Sequence, residues 1–181
     1  LTNATITANL KSTPPFSATY FNNVNLTGSP VLTRNEGMVD YNFQSGSPHP
    51  SVNSDNFSAR WVKQHYFQVG SYKFDTISDD GVRLFIDGVA VIDKWVDQGS
   101  TPHSGTAAIT EGNHEIKFEY YERGGGANVR LVWDMISADS PPPPPTGQSV
   151  TSFTLINADS DSVITAYDPI PSGATINLAI L

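Results

Sequence analysis

Along much of this chain, apolar and polar residues change places at every step. His114, Ile116, Phe118 and Tyr120 alternate with Glu115, Lys117, Glu119 and Tyr121, and Val129, Leu131, Trp133 and Met135 alternate with Asn128, Arg130, Val132 and Asp134. A period of two places one set on each face of an extended segment, so each run predicts a strand with a single core face. Tyr72, Phe74 and Thr76 continue the pattern, as do Val82, Leu84 and Ile86, and turn residues punctuate it at Gly70, Asp80-Gly81, Asp87-Gly88 and Glu111-Gly112-Asn113. Many short strands with such turns, and no segment with a capped helical period, predict an all-β antiparallel sandwich or barrel. Residues 33–55 are rich in Ser, Pro, Asn and Gly and read as a long excursion over the sandwich. Trp61, Trp95 and Trp133 lie in or beside alternating runs and are expected in the core, where large aromatics contribute most burial.

The clearest boundary is Ser140 followed by five prolines, a run that favours a polyproline II spacer. It divides the chain into an N-terminal strand (1–12), a main β-domain (13–138), a Pro-rich linker (139–148) and an incomplete β-module (149–181). That last piece is too short for an independent sandwich, although residues 150–156 and 175–181 have strand character around Asp159, Asp161 and Asp168. At the other end, Ala4, Ile6, Ala8 and Leu10 alternate with Thr5, Thr7 and Asn9. Two expectations follow for these apolar ends. Either they are accidents of truncation, or they pair between copies and assemble subunits into a fibre by strand addition.

Composition narrows the function classes. With 18 acidic against 10 basic residues the net charge is −8, and no Lys/Arg run offers a footprint for nucleic acid. No apolar run reaches the roughly 18–20 residues of a membrane helix, so membrane insertion is not expected. Cysteine is absent, which leaves burial or a bound metal to stabilise the domain. The chain opens on Leu1 and is expected to be a processed or excised piece of a secreted or cell-surface protein. Catalysis is not expected: His49, His65, His103 and His114 are scattered over different elements, and no Ser or Cys stands in a nucleophile signature.

The segment with the most chemistry is Ser78-Asp79-Asp80-Gly81, where two carboxylates are adjacent. Successive side chains of a strand point to opposite faces, so neighbouring aspartates share an ion only if the backbone between them is unusual. A cis peptide shortens the Cα separation to about 2.9 Å and turns both to one side. Calcium suits the available oxygens, since it takes about 6–8 carboxylate, carbonyl and water ligands. The alternative is an ordinary Asp-Gly hairpin in which Asp79 bonds the local backbone. A glycosidase pair does not fit, because that chemistry needs carboxylates about 5–9.5 Å apart across a substrate.

An ordered series of motifs extends these readings. Phe16-Ser17-Ala18-Thr19-Tyr20-Phe21, Asn56-Phe57-Ser58-Ala59-Arg60-Trp61, Gly70-Ser71-Tyr72-Lys73-Phe74-Asp75-Thr76, the double aspartate, Val91-Ile92-Asp93-Lys94-Trp95, Glu119-Tyr120-Tyr121-Glu122-Arg123-Gly124-Gly125 and Val129-Arg130-Leu131-Val132-Trp133 occur in that sequence. Together they resemble the protective-antigen-type, or PA-fourteen, domain family. The resemblance implies a lectin-like antiparallel β-sandwich with a short C-terminal β extension, and a calcium-dependent carbohydrate-binding module. It implies calcium ligands at Asp79 and Asp80, completed by oxygens from a second loop, Glu122 to Asn128, in which Gly124, Gly125 and Asn128 are the candidates. Asp79, Asp80, Gly125 and Gly126 would then meet the sugar. Vicinal hydroxyls replace waters on such an ion while carboxylates accept their hydrogen bonds, and multivalency raises the avidity of a shallow site. Two other functions compete with this one: a structural subunit of an extracellular fibre or large adhesin, and a non-catalytic appendage of a glycoside hydrolase.

Overall fold

The computed structural model describes residues 7–9, 14–138, 154–157 and 162–164. In chain order the strands are β1 (Thr7–Asn9), β2 (Phe16–Phe21), β3 (Leu32–Glu36), β4 (Asp40–Gln44), β5 (Phe57–Phe67), β6 (Gly70–Asp79), β7 (Val82–Ile86), β8 (Val89–Lys94), β9 (Thr101–Ile109), β10 (Gly112–Glu122), β11 (Ala127–Ala138), β12 (Thr154–Asn157) and β13 (Ser162–Ile164). Between residues 14 and 138 they form two antiparallel sheets packed as a sandwich. One has six strands in the order β3-β2-β5-β10-β7-β8, the other four in the order β4-β11-β6-β9. Among the described residues no helix is long and apolar enough to cross a membrane.

The alternating runs explain the pairing. β10 lies against β5 without interruption from Gly112↔Phe67 to Glu122↔Phe57, and β11 lies against β6 with Trp133 opposite Phe74. Ile116, Phe118 and Tyr120 from β10 and Phe57, Ala59, Trp61 and Phe67 from β5 are buried between the sheets, with Phe74, Val129 and Leu131 facing them. The Asp87-Gly88 turn joins β7 to β8 with positive φ at both residues (49° and 78°), the conformation of a tight two-residue hairpin.

Residues 33–55 differ from the expected excursion. They contain most of β3 and all of β4, which pair with β2 and β11 on the edges of the two sheets. Their short apolar content is concentrated where it packs: Val39 and Val52 are buried, and Tyr41 and Phe43 lie against the core. The tryptophans also divide. Trp61 is fully buried and Trp133 packs against the core, but Trp95 lies beyond the end of β8, where strand parity no longer dictates its direction. Its ring stacks under the Arg83 guanidinium at 4.0 Å and approaches Tyr121 at 4.7 Å.

A buried carboxylate ties the two sheets together. Glu36 accepts hydrogen bonds from Trp61 Nε1 (2.6 Å), the Tyr20 hydroxyl (2.7 Å), the Tyr41 hydroxyl (2.8 Å) and Arg34 Nε (2.5 Å). Burial by itself would raise its pKa, but the four donors together outweigh that and hold it below the usual carboxylate value. Tyr20 and Tyr41 are pushed up in turn, by burial first and by Glu36 second.

β1 pairs in parallel with β12 (Thr7↔Thr154 to Asn9↔Ile156), and β12 pairs antiparallel with β13, forming a separate three-stranded sheet. One edge of the N-terminal strand is therefore occupied by its own chain. The proline run, the strand pattern at 175–181 and Asp159, Asp161 and Asp168 lie outside the described residues.

Replacing Glu36 by Gln leaves Arg34 without its counter-charge and sets an amide among donors; a loss of about 3 kcal/mol is expected in urea unfolding at neutral pH. Because the folded pKa is depressed, the stability Glu36 contributes is fully present above the unfolded carboxylate value of about 4.3 and is lost as pH falls through the folded value. The Glu36→Gln variant should therefore show a shallower acid limb than the parent.

Candidate cation and ligand site

Four connections carry the chain from one sheet to the other at the same end of the sandwich: residues 45–56, 80–81, 95–100 and 123–126. Asp80-Gly81 is one of them, so it is not the hairpin that an Asp-Gly pair suggests: β6 belongs to the four-stranded sheet and β7 to the six-stranded one. The peptide between Asp79 and Asp80 is cis. Gly81 is needed at this corner because a Cβ there would come within 2.3 Å of Tyr121 Cε1, and the Tyr121 N–H donates to the Gly81 carbonyl at 3.0 Å.

Asp80 is 5% exposed and both its carboxylate oxygens are engaged. Oδ1 accepts the backbone N–H of Gln98 and Oδ2 that of Arg123, each at 2.8 Å, so one side chain holds two of the other connections. Its carbonyl accepts the Ser78 hydroxyl (2.6 Å) and Gln98 Nε2 (3.1 Å). Asp79 is half-buried, and its carbonyl accepts the Tyr120 hydroxyl at 2.6 Å.

The third member is Glu122, at the end of β10. It continues the even-numbered set of Ile116, Phe118 and Tyr120 into the interior and is fully buried. Its Oε2 lies 3.2 Å from the Tyr120 hydroxyl, while Oε1 is buried with no partner. One carboxylate oxygen from each of Asp79, Asp80 and Glu122 lies within 4.8 Å of the others. Burial, and after it the charge of Asp80, pushes Glu122 up to about 7 and raises Asp79 as well. Three clustered carboxylates and one buried oxygen without a donor form a set of hard ligands that fits a divalent cation of the calcium class.

The second loop contributes unevenly. Of its glycines, Gly126 faces the acidic cluster, since a Cβ there would lie 3.7 Å from Asp79 Oδ2. Gly124 and Gly125 turn toward Asp55: Gly125 has φ of 109° and donates its N–H to Asp55 Oδ1 at 3.3 Å. Asn128 is opposite Asp79 in the β6/β11 register, and its Oδ1 accepts the Ser100 hydroxyl at 3.1 Å. Sequence reasoning included Glu122 in this loop but assigned it no role, and it passed over Gln98 and Asp55. The missed signal for Glu122 was its parity, which puts a carboxylate at a core position. Gln98 and Asp55 carried none, because only the folded loops bring them here.

This geometry can be set beside known proteins. Over 118 residues the chain is 36% identical to the anti-sigma-I factor RsgI3 of Acetivibrio thermocellus, a match covering 63% of this chain and 18% of that protein. An anti-sigma factor domain-containing protein of known structure superposes with a TM-score of 0.64 at 30% identity, over 72% of this chain and 50% of the other. This chain thus spans a fraction of the length of these relatives. The PA14 sugar-binding domain of an RTX adhesin shares the fold with a TM-score of 0.52 at 19% identity, over 68% of this chain and 91% of that domain. Residues 13–147 match the PA14 domain family, which is well over half of the sequence, and the chain belongs to that family.

Proposed function

We propose that this is a calcium-dependent carbohydrate-binding module of a secreted or cell-surface protein, binding its ligand without catalysing a reaction on it. The observation that carries the reading is the buried, partnerless Oε1 of Glu122 beside Asp79 and Asp80. Asp79, Asp80 and Glu122 would hold the ion, with Gly126 keeping the approach over Asp79 free of side chain and Asn128 and Ser100 bordering it. When bound, calcium offers coordination positions to vicinal sugar hydroxyls. The PA14 fold that a sugar-binding adhesin domain also has supports the ligand class.

A second reading concerns the use of binding. The anti-sigma relatives favour a module whose occupancy is an input to a signalling protein, in place of simple adhesion.

Calcium at about a hundred times its Kd should add about 2.7 kcal/mol and raise Tm by several degrees, an effect reversed by chelator. In Glu122→Gln that rise should shrink, with calcium affinity at least about tenfold weaker by calorimetry, while the chelated protein melts no lower than the parent. Asp80→Ala should behave differently. It strips acceptors from two part-buried N–H groups, so its Tm should fall in chelator too, by an amount equivalent to about 2 kcal/mol. An unchanged Tm on adding calcium to the parent would remove the metal from the proposal. Displayed multivalently on a glycan array, the full chain should bind a defined sugar class with calcium and not with chelator; binding in neither condition would defeat the carbohydrate reading.

A further inference from the structure

Three consecutive glycines, Gly124 to Gly126, make up most of the connection between β10 and β11. Glycine loses more conformational freedom on ordering than any other residue, so such a run keeps one path only where hydrogen bonds fix it. At Gly125 the φ of 109° restricts the position to glycine, although a Cβ there would have nothing within 4 Å. The loop is therefore bare backbone beside the acidic cluster, and its path depends on the groups that anchor it.

One anchor is Asp80, whose Oδ2 accepts the Arg123 N–H at 2.8 Å. Two more come from the end of the 45–56 connection. The Asn56 N–H donates to the Arg123 carbonyl at 3.3 Å, and Asp55 Oδ1 accepts the Gly125 N–H at 3.3 Å. Of the three, only the Asp55 bond reaches the middle of the glycine run, one residue before Gly126, the residue that faces Asp79. Asp55 does not belong to the carboxylate cluster, whose members within 4.8 Å of one another are Asp79, Asp80 and Glu122.

We propose, resting on the carbohydrate reading of this site, that Asp55 is its positioning residue: through the Gly125 N–H it orders the second loop for the sugar, and it takes no part in holding the ion. A loop ordered beforehand lowers the cost of binding, because the sugar does not have to immobilise three glycines itself. The role belongs to an acceptor oxygen and not to a charge. Asparagine at position 55 keeps that oxygen, and alanine does not. Asp55 is exposed, so neither replacement removes a core contact.

The test compares the full chain with Asp55→Ala and Asp55→Asn. Calcium alone, titrated by calorimetry, should bind all three with affinities within about twofold of one another. The second probe is the multivalent glycan array in calcium, read as the protein concentration that gives half-maximal signal. Asp55→Ala should need at least about fivefold more protein than the parent, and Asp55→Asn should stay within about twofold of it. Amide hydrogen exchange at Gly125 should quicken in Asp55→Ala and remain as in the parent in Asp55→Asn. The positioning role is overturned if Asp55→Ala binds the array as well as the parent. It is also overturned if Asp55→Asn loses as much as Asp55→Ala, since charge would then be the contribution, or if calcium affinity falls in step with glycan binding, which would make Asp55 a ligand of the ion. A parent chain that binds calcium and no glycan defeats the carbohydrate reading itself, and the role of Asp55 falls with it.

Discussion

The buried carboxylate of Asp80 is the contact around which the acidic end of this domain is organised. Each of its oxygens accepts one backbone N–H, from Gln98 on one connection and Arg123 on another, while its own backbone forms a third. Loops that cross between sheets cannot satisfy each other through a strand ladder, and a buried N–H left without an acceptor is expensive. A single carboxylate solves that problem for two of them. The same arrangement brings Asp79, on the adjoining residue, and Glu122, one residue before Arg123, to within 4.8 Å of it. The side chain that holds the loops is therefore also a member of the carboxylate cluster.

The rest of the sandwich provides a rigid base for that end. Trp61 touches Tyr20, Phe118 and Tyr120 within its own sheet and Tyr41 across the gap, with ring centres 5.8 to 6.5 Å apart. Glu36 then fixes three of these groups by hydrogen bonds, so that the aromatic packing has one orientation where apolar contact alone would tolerate several. Tyr120 transmits this order directly: its ring packs on Trp61 and Phe57, and its hydroxyl donates to the Asp79 carbonyl at 2.6 Å and sits 3.2 Å from the Glu122 carboxylate.

The two ends of the interior are chemically opposite. One gathers three carboxylates, and the other holds Lys63 and His65 with no negative partner among the described residues. Both depart from the apolar composition of the middle.

Alternation at period two determined, from the sequence alone, that the chain is all-β, which residues of β10 and β11 face inward, and where Asp87-Gly88 turns, because these depend on neighbours along the chain. The Asp79-Asp80 pair was legible as a candidate site for the same reason, being local. Tertiary structure decided what depends on residues far apart in sequence: that Asp80-Gly81 crosses between sheets, that residues 33–55 supply edge strands, and that Trp95 stands outside the core. It also decided that Glu122 completes the carboxylate cluster and that Lys63 finds two aromatic rings and no acid. Sequence records the order in which groups are strung; sheet pairing and sandwich closure, set by the collective burial of aromatic faces, decide which of them share a few ångströms of space.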